Sequence, residues 1–126
     1  MEKPPRIAVG VDIIEIDRIE QATVSWHDSF LKRIYTEAEL ESSGNKPSSL
    51  AARFAAKEAV MKALSTGAKG ISWKDIEVLS NNDGAPFVRL YGRAYDKAKE
   101  IGISAFSISM SHSKQYAIAM VVGYAA

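Results

Sequence analysis

Between Ser49 and Leu64 the chain reads SLAARFAAKEAVMKAL, a run without glycine or proline that is long enough for about four helical turns. At about 100° per residue, Leu50, Phe54, Met61 and Leu64 fall within about 80° of one another and form an apolar stripe. Lys57 projects near the middle of that stripe, where an ammonium is costly without a partner. Glu58 sits at its edge, one turn after Phe54 and one turn before Lys62. A carboxylate flanked by Arg53, Lys57 and Lys62 suits a metal ion and phosphates. The plainer alternative is a solvated helix carrying a Glu58–Lys62 pair worth a few tenths of a kcal/mol.

Earlier in the chain, RIAVGVDIIEI places Ile7, Val9, Val11 and Ile13 in strict alternation, the pattern of a strand. Ala8, Gly10, Asp12 and Ile14 share its other face. Asp12 is thus a carboxylate within an apolar strand, and it needs a partner, a proton or a cation. Its small neighbours leave room for something to approach the backbone. Alternatively, Asp12 ends the strand and caps the helix that follows.

Residues 17–43 carry apolar positions at helical spacing, with Ile16, Ile19, Phe30, Leu31 and Ile34 directed at a core. Thr36 and Glu39 have the spacing of a capping box, which starts a short helix over Thr36–Ser42 and leaves Trp26 and His27 between two helices. GNKPSS at 44–49 is a loop offering Ser48 or Ser49 as cap of the long helix, which Gly67 and Gly70 close. IEVLS (76–80) and PFVRL (86–90) flank a turn at Asp83-Gly84 and predict a hairpin. A helix fits Tyr91–Ile101, stopped by Gly102. SAFSISMSHSKQYAIAMVVGYA then gives two strands joined at His112–Gln115, with Phe106, Ile108 and Met110 on one face of the first and Ser107, Ser109 and Ser111 on the other. The serine face suits a wet cleft or a subunit contact. Residues 1–5, with two prolines, are expected to fray. The order of elements predicts an α+β fold in which a largely antiparallel sheet packs on the long central helix, within one domain spanning 1–126.

Sixteen basic against fifteen acidic residues, with no long run of one sign, disfavour a dedicated nucleic-acid or membrane-surface protein. The absence of cysteine excludes disulfides, thiolate zinc sites and cysteine catalysis. No apolar run approaches a membrane span and MEKPPRIAVG lacks a signal peptide's apolar region, so a cytoplasmic location is expected. What remains is a set of oxygen donors (Asp12, Glu58), cations (Arg53, Lys57, Lys62) and one imidazole (His112). Two carboxylates without thiolates or clustered histidines suit Mg²⁺, which keeps several waters and shares a substrate's phosphate. Together with the cations, they point to phosphoryl-type chemistry on a substrate bearing its own phosphates.

VGVDIIEIDRI (9–19) followed by ARFAAKEAVMKAL (52–64) resembles the two signature segments of holo-[acyl-carrier-protein] synthase, the small type of 4′-phosphopantetheinyl transferase. The matching positions are Gly10-Val11-Asp12 and Phe54-Ala55-Ala56-Lys57-Glu58-Ala59-Val60-Met61-Lys62, and the likeness extends to DGAPFV (83–88) and SISMSHSKQYAIAMVV (107–122). The resemblance implies that Asp12 and Glu58 hold a Mg²⁺ ion shared with the coenzyme A pyrophosphate. By the same resemblance, Lys62 lies beside that phosphate and the reacting hydroxyl, and Arg53 and His112 touch coenzyme A phosphates. The implied reaction moves phosphopantetheine from coenzyme A to a serine of an apo acyl carrier protein, releases 3′,5′-ADP and supports fatty acid biosynthesis. Glu58, or a water it holds, is the implied base. Small members form homotrimers with active sites between subunits.

Two departures stand out. Larger transferases carry a second acid two residues after the aspartate, whereas this chain has Ile14 there, so water must fill the place. Arg18, on the helix expected to meet the acidic carrier, is surrounded by Glu15, Asp17 and Glu20, with Lys32 and Arg33 as further cations. A non-catalytic trimeric module that binds coenzyme A or a carrier is the rival reading, but it has no need of Asp12, Glu58 and Lys62 together.

Overall fold

Six alanines between positions 51 and 63 make the central helix slender enough for its neighbours to close around it almost completely. In the computed structural model, which describes residues 6–64 and 70–126, the elements run β1 (Ile7–Glu15), α1 (Ile16–Ile34), α2 (Glu37–Ser43), α3 (Pro47–Ala63), β2 (Ile76–Ser80), β3 (Pro86–Leu90), α4 (Gly92–Glu100), β4 (Ala105–His112) and β5 (Tyr116–Tyr124). Trp73–Asp75 forms a short 3-10 turn before β2. All pairings are antiparallel: β1-β5-β4 make one sheet and β2-β3 a second, joined through Asn81–Ala85. The α+β expectation holds, with the long helix as its centre.

Helix α3 is not a solvated helix. Leu50, Met61 and Leu64 are buried as the stripe requires, and Ala51, Ala55, Ala56, Ala59 and Val60 are buried on its other sides. Sheet β1-β5-β4 covers α3 with Ala117, Ala119 and Val121, while Ile76 and Val78 of β2 pack from another side. Close approach depends on Gly10, where an added Cβ would overlap the carbonyl oxygen of Ala59 and lie 2.7 Å from its carbonyl carbon. The small-residue face of β1 therefore admits the backbone of α3.

This contact turns the larger face outward. Ile7, Val9, Val11 and Ile13 are 61%, 60%, 49% and 59% exposed. The register places Tyr116, Ile118 and Met120 of β5, then Ser107, Ser109 and Ser111 of β4, on that same outer face. Phe106, Ile108 and Met110 look inward.

Lys57 is fully buried and finds its partner in Glu39, Nζ to Oε1 2.8 Å. The ammonium also donates to the carbonyl oxygens of Trp73 (3.1 Å) and Ile76. Glu39 accepts from the amides of Thr36 and Val78, both at 2.9 Å. Burial pushes the Lys57 ammonium below the usual lysine range, with the Glu39 carboxylate opposing the shift. One ion pair thus joins α2, α3 and β2. Lys57→Met, which strands the Glu39 carboxylate in the core, is expected to cost about 3–5 kcal/mol. The measurement is a lower urea midpoint at unchanged slope.

Several local expectations are corrected. Helix α1 continues through positions 26 and 27, so Trp26 and His27 lie within it and not between helices. Helix α3 has Lys46 at its N-cap, with no side-chain cap, and Pro47 at its first position, where a fixed φ and a missing N–H cost nothing. Ser48 and Ser49 fall inside its first turn. Asp12 does not cap α1, whose N-cap is Glu15. The box of Thr36 and Glu39 forms as expected, and Gly84 (φ +85°) and Gly102 (φ +83°) take the left-handed turns. Helix α3 ends at Ala63 with Leu64 as a right-handed C-cap, so Gly70, although left-handed, does not close it; Gly67 and residues 1–5 lie outside the described residues.

Candidate active site

Because Gly10 lets β1 rest directly on α3, Asp12 two residues later faces the helix turn that carries Glu58 and Lys62. Lys62 Nζ lies 3.0 Å from Asp12 Oδ1 and 3.0 Å from the carbonyl oxygen of Val11. Its ion pair is thus with Asp12 on another element, and the local Glu58–Lys62 pair is not what holds it. Asp12 and Glu58 line one cleft of about 340 Å³ with Ile13, Ile14, Arg18 and Phe54.

Glu58 is half-buried, and its carboxyl is raised above the usual carboxylate range. Burial is the largest cause and the nearby Asp12 carboxylate adds to it, against the pull of Lys62. Asp12 and Glu58 bring two carboxylates to the cleft, with the Arg18 guanidinium in its lining and the Lys62 ammonium on Asp12. Oxygen donors alone fit a hard divalent cation that fills its remaining positions with water or substrate oxygen. No group of three potential protein ligands occurs among the described residues, in keeping with Ile14 at the position of a third acid.

The other two candidates lie elsewhere. Arg53 is buried, and its guanidinium donates to the carbonyl oxygen of Val78 (3.2 Å), to Ser42 Oγ (3.0 Å) and to Ser49 Oγ. It ties α3 to β2 and to the end of α2. His112 is exposed at the end of β4, with Nδ1 3.3 Å from the Ser113 carbonyl oxygen. It shares a register row with Ala117 and Ile14, whereas Asp12 pairs with Ala119. With β5 between them, β1 and β4 are about 10 Å apart, so one chain does not bring His112 to Asp12.

Sequence reasoning missed the Val11 carbonyl, since a main-chain ligand leaves no mark in residue type. It also missed the pairing of Glu39 with Lys57, although a lysine on an apolar stripe called for a buried acid. A larger cavity of about 550 Å³ between β3, α4 and β4 is lined by Tyr91, Tyr95 and Phe106 and contains no carboxylate. Size does not locate the chemistry here.

A short antiparallel sheet rests on one buried helix, with a strand acid, a helix acid and a lysine at their junction. Residues 8–121 match the model of the 4′-phosphopantetheinyl transferase superfamily, and the chain belongs to that family. More particularly, it is 55% identical over 113 residues to a holo-[acyl-carrier-protein] synthase of Dehalococcoides mccartyi, covering 90% of this chain and 94% of the relative. Identity to the holo-[acyl-carrier-protein] synthase of Herpetosiphon aurantiacus is 48% over 124 residues, covering 93% and 98%. The crystal structure of the Helicobacter pylori holo-[acyl-carrier-protein] synthase in complex with coenzyme A superposes with a TM-score of 0.83 at 36% identity, over 91% of this chain and 98% of that one.

Proposed function

We propose that this chain, as one transferase domain over 1–126, moves 4′-phosphopantetheine from coenzyme A to a serine of an apo acyl carrier protein, in support of fatty acid biosynthesis. The observation that carries this reading is the meeting of Asp12 and Glu58 in one cleft, with the Lys62 ammonium paired to Asp12. Family membership and the synthase relatives support the choice of donor and acceptor.

Asp12 and Glu58 are the residues that would hold Mg²⁺. When bound, the ion draws charge from the donor's diphosphate and lowers the barrier to displacement. The carrier's serine oxygen forms a bond to the β-phosphorus as the bond to the 3′,5′-ADP oxygen breaks. Lys62 lies where it neutralises charge that develops on the phosphate oxygens. Glu58, or a water it orients, takes the serine proton. Arg53 stands behind this site as a brace between elements. His112 reaches the donor phosphates from a neighbouring copy.

That neighbour follows from the outer face of the sheet. Ile7, Val9, Val11 and Ile13 beside Ile118 and Met120 form an exposed apolar surface of the sort that marks an interface. We assign it to a homotrimer with active sites between subunits. Val11→Asp is expected to convert the trimer to monomer in analytical ultracentrifugation and to weaken coenzyme A binding with it. An unchanged sedimentation coefficient contradicts the assignment. Among the described residues no helix is long and apolar enough to cross a membrane, and we place the reaction in the cytoplasm.

Intact-mass measurement of an apo carrier protein tests the function. The expected result is a gain of one phosphopantetheine that requires this protein, coenzyme A and Mg²⁺. A carrier whose mass is unchanged under those conditions overturns the reading.

A further inference from the structure

The lysine at the cleft occupies an unusual place. Its Nζ sits 3.0 Å from a carboxylate oxygen and 3.0 Å from a main-chain carbonyl oxygen, both of β1. Two oxygens of that kind are also what a hard divalent cation seeks. Lys62 is 55% exposed and reaches this position on a flexible four-carbon stem. Its ammonium stands on Asp12, one of the two carboxylates that the cation reading assigns to the ion.

We propose that Lys62 is a placeholder: in the metal-free protein its ammonium occupies the Asp12 carboxylate, and arrival of the divalent ion displaces it toward the donor's diphosphate. This rests on the cation reading of Asp12 and Glu58. A divalent ion and an ammonium held on the same carboxylate repel one another, which weakens the hold of each in a half-buried cleft. Charge gives the exchange its direction. With the lysine in place, the Asp12 and Glu58 carboxylates are matched by the Lys62 ammonium and the Arg18 guanidinium, a formal sum of zero. A divalent ion raises that sum to +2 and frees the ammonium, so ion and donor favour one another's binding.

The test reads metal binding and lysine position without turnover. Mn²⁺ affinity is measured by the loss of its free electron-paramagnetic signal, in the absence of coenzyme A, for the wild type, Lys62→Met and Asp12→Asn. In parallel, the Nζ resonance of Lys62 is followed by ¹⁵N NMR while Mg²⁺ and then inorganic diphosphate are added. Lys62→Met is expected to bind Mn²⁺ on the order of tenfold more tightly, since the competing occupant is gone. In the wild type Mg²⁺ is expected to shift the Lys62 resonance, and diphosphate to shift it again. In Asp12→Asn the resonance should begin at a displaced position and ignore Mg²⁺. A Lys62 resonance that stays put while Mn²⁺ binds the wild type, or Lys62→Met binding no more tightly, overturns the placeholder and leaves the cation site standing. Equal Mn²⁺ affinity in Asp12→Asn and wild type overturns the cation site itself, and the placeholder falls with it.

Discussion

Glu58→Gln is expected to abolish transfer while leaving the protein at least as stable as before. The loss should reach about 10²- to 10³-fold in kcat, the scale on which a single group that meets developing charge is worth. Stability moves the other way because the folded protein disfavours the ionised Glu58 carboxyl through burial and the Asp12 charge. An acid whose folded pKa lies above its unfolded value binds more protons when folded across the interval between the two. The native state therefore gains stability as pH falls through that interval and loses it as pH rises. At neutral pH the ionised Glu58 is a cost, and glutamine removes that cost. Thermal unfolding of the wild type without metal should show this stability gain toward acid, and the Glu58→Gln variant should show a flatter profile. A variant that loses stability and activity together would recast Glu58 as a structural residue.

Gly10→Ala is expected to have the largest effect on the fold. The new methyl would overlap the Ala59 carbonyl oxygen and come within 3.2 Å of the Ala63 amide nitrogen, both backbone atoms of a buried helix that has little room to retreat. Strand β1 must lift off α3, opening the core along the whole contact. We expect a loss of about 4 kcal/mol or more, beyond the ~0.5–3 kcal/mol of common substitutions. In a chain of this size that lowers Tm by about 10 °C or more. Activity should fall even where the variant is still folded, because Asp12 moves with the strand and away from Glu58. Gly44, where an added Cβ would meet nothing, is the natural comparison, although its φ of +61° adds some local strain to Gly44→Ala. Equal unfolding temperatures for Gly10→Ala and the wild type would show that β1 does not depend on this approach.

The elements were largely legible because each carries its own periodicity. Strand alternation in 7–14, the capping box at Thr36 and Glu39, the Asp83-Gly84 turn and the glycine stop at 102 are local signals, and they produced the elements where expected. Which face of β1 turns inward was not legible. Alternation separates two faces, and burial of large side chains alone would have chosen the side of Ile7, Val9, Val11 and Ile13. The choice goes to the smaller face because α3 is itself mostly alanine there and packs backbone to backbone. The same long-range character hid the partner of Lys57, which lies 18 residues back at Glu39. It also hid the commitment of Arg53 to Val78, Ser42 and Ser49.

The site was legible to a different degree. Glu58 and Lys62 share a helix, so their proximity follows from spacing. Asp12 lies about 50 residues away from them, and its place beside them came from family resemblance and from the demand that a carboxylate in an apolar strand find a partner. His112 shows the limit of one chain: its row in the sheet is that of Ile14, so its proposed contact with the donor calls for a neighbouring copy.

The most direct measurement is a crystal structure of the protein with coenzyme A and Mn²⁺, recorded at the manganese absorption edge. We expect one anomalous peak within about 2.0–2.4 Å of a carboxylate oxygen of Asp12 and one of Glu58, with a donor diphosphate oxygen on the same ion. A manganese ion held by the diphosphate alone, with neither carboxylate in reach, would contradict the account.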